Sequence, residues 1–267
     1  MNPFFQKHSK GVSRAFWCLF LLLVWELWVK ISHVSPMLFP SVEEVLITLW
    51  EDLFHGNLLG QTISSLWLIG LGLILALILS LAAGLLSIHS KTAAGFMDTL
   101  TAIAHPLPGL ALLPLIIMWF GTGTRAVLAI IIHSALWPML LNLMAGFSSV
   151  PDIYLDTGRN LSMGPVSITF EIMLRSSFGY VLSGLKIGWA RAWRALISAE
   201  MVFGAVGNKG GIGWYLLNQR TFMDTSGLFA GILLVILIGI LVEDVCFSVL
   251  EKRTLQRWGM NGQAKNI

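Results

Sequence analysis

The sequence predicts an all-α membrane protein, with six transmembrane helices in a single domain that covers residues 1–267. Hydrophobic residues make up 56% of the chain and charged residues only 12%, and the mean hydropathy is +0.78. Soluble domains carry about 25% charged residues, so this low share indicates an integral membrane protein. Long charge-free runs locate the helices, because a bilayer core about 30 Å thick needs ~20 apolar residues per span.

Four runs without Asp, Glu, Lys or Arg define four spans, at residues 61–90, 99–124, 126–151 and 225–242. A fifth run, Ala15–Val29, contains only Glu26, and we expect it to be retained because no small-residue signal cleavage site follows it. The run 181–203 is less certain by hydropathy, since it contains Lys186, Arg191, Arg194 and Glu200. The predicted spans are therefore residues 15–32, 61–88, 99–121, 125–147, 180–203 and 226–249.

The distribution of basic residues orients these spans, because cytoplasmic segments carry an excess of Lys and Arg. Six spans with both termini in the cytoplasm place ten basic residues inside: Lys7, Lys10, Arg14, Lys91, Arg159, Arg175, Lys252, Arg253, Arg257 and Lys265. Four basic residues then lie outside: Lys30, Arg125, Lys209 and Arg220. Omitting the fifth span would leave five spans and put the two termini on opposite sides of the membrane. The excess of basic residues on one side therefore favours six spans with both termini in the cytoplasm.

Two local patterns predict how helices begin and pack. After the first span, Ser41 is suited to cap an amphipathic helix on the outer surface, with Glu43 and Glu44 in its first turn where the helix dipole favours acids. In the second span, small residues recur every four positions and predict a seam where another helix packs closely: Gly72, Ala76, Ser80 and Gly84.

Polar and helix-breaking residues inside the spans indicate a possible transport path. The segment 105–109, His-Pro-Leu-Pro-Gly, predicts a broken helix, which fits either a path or a static kink. In the fifth span, Arg191 and Arg194 are neighbours that either meet an anion in a pore or pair with Glu26, Glu243 or Asp244. The candidate path residues are Pro108, His133, Trp137, Arg191, Arg194 and Glu200.

The sequence contains no motif of an enzyme. It has no CxxC, HExxH, Walker A or GxSxG pattern, and Cys18 and Cys246 both lie in apolar runs. The net charge of +3 follows the membrane topology and does not indicate nucleic-acid binding. We therefore expect a non-catalytic protein with no metal site, no cofactor of its own and no nucleic-acid partner.

The least hydrophobic stretch, residues 151–179, lies between the fourth and fifth spans on the predicted cytoplasmic side. Pro151 and Gly179 bound it, and Pro165 divides it into two short predicted helices, 154–161 and 167–175. Such a helical segment provides a docking surface that a motor-driven transporter needs and a passive channel does not.

This stretch resembles the coupling loop of ABC importer permeases, whose pattern is E-A-A, three residues, Gly, nine residues, I-x-L-P. Asp-Thr-Gly at 156–158 occupies the E-A-A positions, Ser162 the glycine and Ile-Met-Leu-Arg at 172–175 the last motif. Every spacing is kept, although five letters differ, and Arg175 in place of proline would allow the second helix to continue. The resemblance assigns ATPase coupling to Asp156, Thr157, Gly158, Arg159, Ser162, Ile172 and Leu174.

Flanking motifs extend the resemblance to about residues 34–251. Pro-Leu-Pro at 106–108, Trp-Phe-Gly at 119–121 and the run Ala192–Met201 are similar to permeases for nitrate, sulfonate, taurine and related substrates. The resemblance implies a type I importer fold in the bacterial inner membrane, a second permease copy, two ABC ATPases that bind ATP and Mg, and a periplasmic or extracellular substrate-binding protein. The predicted function is import of a small anionic or zwitterionic nutrient; the alternative is an ion channel or an ion-gradient-driven carrier.

Overall fold

The computed structural model describes residues 3–32, 34–205 and 210–255, and these residues form helices and turns without a strand. The α-helices in chain order are α1 (Pro3–Ser32), α2 (Val42–Phe54), α3 (Leu58–His89), α4 (Lys91–Ala104), α5 (Leu113–Phe120), α6 (Thr124–Ser148), α7 (Asp152–Asn160), α8 (Pro165–Ser167), α9 (Leu174–Ser176), α10 (Phe178–Phe203), α11 (Ile212–Thr221), α12 (Thr225–Ile240) and α13 (Phe247–Arg253). A 3₁₀ turn, Gly109–Leu112, precedes α5, and π-helical turns, Ile168–Met173 and Leu241–Cys246, precede α9 and α13.

Three helices in the described part of the chain are long and apolar enough to cross a bilayer. They are α3, α6 and the helix Thr225–Arg253, in which a π-helical turn joins α12 to α13, and they match the second, fourth and sixth predicted spans. Helices α1 and α10 have 30 and 26 residues, which is enough to span. The count of six spans and the orientation of the termini stay predictions, and Lys209, Arg257 and Lys265 lie outside the described residues.

The third predicted span, residues 99–121, is not one continuous helix. Helix α4 ends at Ala104, and the segment Gly109–Phe120 leaves it at an angle of 92°. The physical reason lies in Pro106 and Pro108, which donate no backbone hydrogen bond and disfavour a helical conformation in the residue before them. The break that the sequence predicted at 105–109 is therefore confirmed, and it is a sharp bend.

Contacts divide the chain into two compact units, of which the first comprises Met1–Gly60 and Tyr215–Val235. Here Ser41 caps α2 in a capping box with Glu44, as the sequence predicts. The indole of Trp25 donates to the carbonyl of Pro40 over 3.0 Å, and its ring packs with Phe39 and Phe229. These contacts join the start of α2 to α1 and α12.

A second polar contact in the first unit joins α2 to α11. The hydroxyl of Tyr215 donates a short hydrogen bond to Asp52. Burial and this hydrogen bond raise the pKa of Tyr215 above its ordinary value. The phenol therefore remains a hydrogen-bond donor well into the alkaline range.

The second unit comprises Gln61–Trp214 and Ile236–Ile267, and α6 packs against both α3 and α10 within it. A side chain at Gly72 would meet Ile131, and one at Gly84 would meet Leu143, so the predicted seam on α3 is confirmed as a contact within one chain. On α10, a Cβ at Gly184 would lie 3.1 Å from the Cα of Met139. Glycines thus allow α6 to approach both helices closely.

Candidate functional site

Two side chains of α6 form hydrogen bonds that connect this helix to the bend between α4 and α5. The indole N–H of Trp137 donates to Nδ1 of His133 over 3.2 Å, and Nε2 of His133 lies 3.2 Å from the carbonyl oxygen of Leu107. A tryptophan N–H only donates and a carbonyl only accepts, so these partners assign a neutral His133 with its proton on Nε2. His133 and Trp137, four residues apart on α6, therefore connect this helix to the broken segment through hydrogen bonds.

The bend opens a cavity of about 490 Å³ between the broken segment, α6 and α10. Five of the six predicted path residues line it: Pro108, His133, Trp137, Arg191 and Arg194. The remaining wall consists of His105, Pro106, Leu107, Gly109, Leu110, Ser134, Ala195 and Ser198. The structure thus brings together residues that lie up to 93 positions apart, from His105 to Ser198.

The cavity has a positive wall. Arg191 places two guanidinium nitrogens 3.3 and 3.4 Å from the two ring nitrogens of His105, and Arg194 donates through Nε to the carbonyl of Ala190 over 3.0 Å. Among the described residues, no carboxylate lines the cavity, and neither arginine has a carboxylate in ion-pair range. Glu243 instead pairs with Lys186, so it is not the partner of the arginines.

Glu200 is the exception among the predicted path residues, because it does not line the cavity. Its side chain is fully buried and accepts hydrogen bonds from the Ser65 hydroxyl, at 2.8 and 2.9 Å, and from the backbone N–H of Gly213, at 2.9 Å. The Ser65 oxygen in turn accepts from the N–H of Ile212 over 2.9 Å. Glu200 is therefore not one of the residues that line this cavity, and it instead accepts a hydrogen bond from the first turn of α11.

Glycines close to this carboxylate explain why a glycine run precedes α11. A Cβ at Gly211 would lie 2.0 Å from an oxygen of Glu200, and one at Gly213 would lie 2.3 Å from the carbonyl of Ile197. The sequence Gly-Gly-Ile-Gly at 210–213 therefore allows the backbone to reach a buried acid. A buried-charge partner could have been suspected from the glycine run, since clustered glycines indicate close backbone approach.

The polar segment between α6 and α10 consists of α7 and a second helical stretch. Helix α7 covers Asp152–Asn160, earlier than the predicted 154–161, and the second stretch runs from Pro165 to Ser176 with a π-helical turn inside it, longer than the predicted 167–175. Helix α10 begins at Phe178, so Gly179 is not a boundary. Arg175 does not end the second stretch, and the break before α10 falls at Ser177.

Helix α7 ends in a Schellman motif. Ser162 has φ 56°, its N–H donates to Arg159 O over 2.9 Å, and the N–H of Met163 donates to Gly158 O over 3.0 Å. This left-handed position after a helix is one where glycine is strongly preferred. Ser162 occupies the glycine position of the coupling-loop pattern that this segment resembles, and the helix ends there.

Gly158 has a packing role that the sequence interpretation did not give it. It is the buried residue of α7, and a Cβ there would lie 2.7 Å from Cδ1 of Ile172 and 3.2 Å from Cγ1 of Ile168. The missing side chain lets α7 pack closely on the second stretch. On α7, Asp156 and Arg159 are exposed and form an ion pair at 2.8 Å, and Thr157 is also exposed.

Comparison with known proteins shows which proteins this chain is similar to. The model of the binding-protein-dependent transport system inner membrane component family matches residues 72–256. The taurine transport system permease protein TauC of Escherichia coli is 27% identical over 242 residues, covering 89% of this chain and 84% of TauC. The nitrate import permease protein NrtB of Leptolyngbya laminosa is 25% identical over 228 residues, covering 84% and 80%.

A third relative has a different anion in its name. The bicarbonate transport system permease protein CmpB of Synechococcus elongatus is 25% identical over 202 residues, covering 76% of this chain and 69% of CmpB. Several helices that are long and apolar enough to cross a bilayer indicate a multi-pass membrane protein. The family match covers well over half of the chain, which therefore belongs to the inner membrane components of binding-protein-dependent transport systems and is an ABC transporter permease.

Proposed function

We propose that this chain is the membrane subunit of an ATP-driven importer for a small nutrient, with anions and zwitterions such as sulfonates, taurine and nitrate as the candidate substrates. A second copy of the chain, two ABC ATPases and an external substrate-binding protein complete the transporter. The chain is non-catalytic and binds no cofactor, and ATP and Mg belong to the ATPases. It lies in a bacterial inner membrane with six spans and both termini in the cytoplasm.

The observation that carries this proposal is the form of the segment 151–177. Its short α7 ends in a Schellman motif at Ser162 and packs through Gly158 on a second helical stretch, so the segment has a defined shape of its own. The segment exposes apolar side chains that a water-facing loop would not need: Ile153, Tyr154, Leu161, Val166 and Phe170. Exposed apolar side chains in a polar segment are typical of a protein-binding surface.

The cavity supports the assignment of a substrate path. It lies beside a proline break, and breaks of this kind are tolerated at membrane depth where they line a wet cavity. Charged side chains in a membrane segment also face protein interior or water, as Arg191 and Arg194 do here. The path would thus be formed by the bend, α6 and α10, with Arg191 and Arg194 as its charged residues.

The experiment is purification of the full chain from its native membrane in mild detergent. We expect an ABC ATPase to copurify, and we expect Leu161→Asp to reduce the recovered ATPase by about tenfold, because a charge replaces an apolar contact of the docking surface. Phe222→Asp is the matched control, since Phe222 is equally exposed but lies outside the segment 151–177. Absence of any ATPase, or substrate uptake that follows an ion gradient without ATP, would instead favour a carrier.

A further inference from the structure

We propose that the cavity selects anions that carry no ammonium group, such as alkanesulfonates or inorganic oxyanions, over zwitterions such as taurine. The inference rests on the proposed function, because it takes the cavity as the substrate path. It narrows the substrate class, since the relatives include permeases named for both taurine and nitrate. Three observations on the cavity wall carry it.

The first observation is that both charged groups of the wall are guanidinium groups with donors to spare. A neutral imidazole accepts at only one nitrogen, so His105 cannot satisfy both terminal nitrogens of Arg191 that lie beside it. Arg194 uses only Nε, for the carbonyl of Ala190. Each arginine therefore keeps N–H groups that are free to donate to the oxygens of a sulfonate or another oxyanion. A guanidinium group binds such an anion through two parallel N–H···O hydrogen bonds.

The second observation is that the wall offers an ammonium group no counter-charge. None of the described residues that line the cavity is an Asp or a Glu. The acid of α10, Glu200, is fully buried, and its oxygens accept hydrogen bonds from Ser65 and Gly213, so it is not available to a ligand. An ammonium group entering the cavity would lose its hydration and lie near two guanidinium groups, which is unfavourable on both counts.

The third observation is that several neutral polar groups of the wall already make hydrogen bonds within the protein. His133 donates from Nε2 to Leu107 O and accepts at Nδ1 from Trp137, so both ring nitrogens are engaged. The carbonyl of Pro108 accepts from the N–H of Ala111 over 2.9 Å. The uncharged part of the wall is largely apolar, with Leu107 and Leu110 among its residues, which suits a short hydrocarbon tail.

The test compares two sulfonate probes of nearly the same size that differ only in their terminal group, which is ammonium in one and methyl in the other. In taurine an ammonium group occupies the place of the terminal methyl group of propane-1-sulfonate. Binding of each probe to the purified full chain is measured by calorimetry in phosphatidylcholine nanodiscs, where no anionic lipid headgroup competes. We expect propane-1-sulfonate to bind at least about tenfold more tightly, a factor that corresponds to 1.4 kcal/mol.

Variants assign the preference to the cavity. Arg191→Gln and Arg194→Gln should each weaken propane-1-sulfonate binding by about tenfold, the usual scale for loss of one charged hydrogen-bonding partner. Arg125→Gln is the control, because Arg125 is exposed and does not line the cavity, and it should leave binding unchanged. Ser198→Asp adds a carboxylate to the wall and should reverse the preference in favour of taurine.

The outcomes are separable from those of the proposed function, because no ATPase takes part. Equal or tighter binding of taurine by the unaltered chain overturns the inference, and so does binding that none of the cavity variants changes. Absence of binding by either probe up to about 10 mM, weaker than the mM affinities at the low end of the usual scale, also overturns it. In each of these cases the chain would still copurify with its ATPase if the proposed function is right.

Discussion

Helix α10 carries an acidic site and a basic site, and the surroundings of the two sites differ. Glu200 is fully buried, and backbone and hydroxyl donors from α3 and the start of α11 meet its oxygens. Arg191 and Arg194, on the same helix, face a cavity whose wall, in the described part of the chain, includes no carboxylate. Sequence position does not distinguish these sites, since both are charges within one predicted span.

The difference shows how a structural charge can be told from a charge kept for a ligand. A buried charge is tolerated when its hydrogen bonds are made inside the protein, and its loss then costs stability. A charge with unused donors beside a cavity contributes little to stability, because it gains little from the protein around it. We therefore expect Glu200 to matter mainly for folding and the arginines mainly for transport.

The largest expected effect is that of Glu200→Ala. Removing the carboxylate leaves the Ser65 hydroxyl and the Gly213 N–H without their acceptor in a buried site, which should reduce the free energy of unfolding by about 3 kcal/mol. The measurement is an SDS unfolding titration of the purified chain in mixed micelles. Glu200→Gln keeps the shape and one acceptor oxygen, so it should cost distinctly less; an equal loss would mean that negative charge at the start of α11 is essential.

Gly211→Ala should reduce stability by about 2 kcal/mol, the usual scale for overpacking a filled site. The new methyl group would lie 2.0 Å from an oxygen of Glu200, so the carboxylate would have to move away from its donors. Gly70→Ala is the matched control, because no atom lies within 4 Å of a Cβ at that position. The same unfolding titration compares the two, and a harmless Gly211→Ala would show that the carboxylate site is loosely packed.

Ser65→Ala should cost about 1–2 kcal/mol, because the hydroxyl both donates to Glu200 and accepts from the N–H of Ile212. Two buried groups lose a partner, but Gly213 still binds the carboxylate. Thermal unfolding in detergent, compared with Ser134→Ala at the cavity wall, measures the effect. If both serine variants were equally stable, the assignment of Ser65 to a structural cluster would be wrong.

The smallest expected effect on stability is that of Arg194→Gln, which should change the free energy of unfolding by no more than about 0.5 kcal/mol, as for other exposed sites. Its bond to the carbonyl of Ala190 lies within one helix and is replaceable by water. Unfolding and substrate uptake are measured on the same preparation. A variant that loses stability and uptake together would remove the distinction between the two charged sites of α10.

Several features followed from the sequence because they depend on local chemistry alone. Charge-free runs located α3, α6 and the helix Thr225–Arg253, since apolar length decides whether a helix crosses a bilayer. The capping box at Ser41 and the break at 105–109 also followed, because caps and prolines act within a few residues. The spacing of the segment 156–175 and the flanking motifs together predicted the family, which the comparisons confirm.

Only the tertiary structure decided what the charges of α10 do and where helices end inside the polar segment. Contacts with residues distant in the sequence determine the bend of 92°, the cavity beside it and the burial of Glu200. Hydropathy along the chain does not show which distant residues make these contacts. For the same reason the sequence does not show that Gly158 packs against Ile172. The sequence determined the class of protein through local patterns, and packing determined which of its charges are free to meet a ligand.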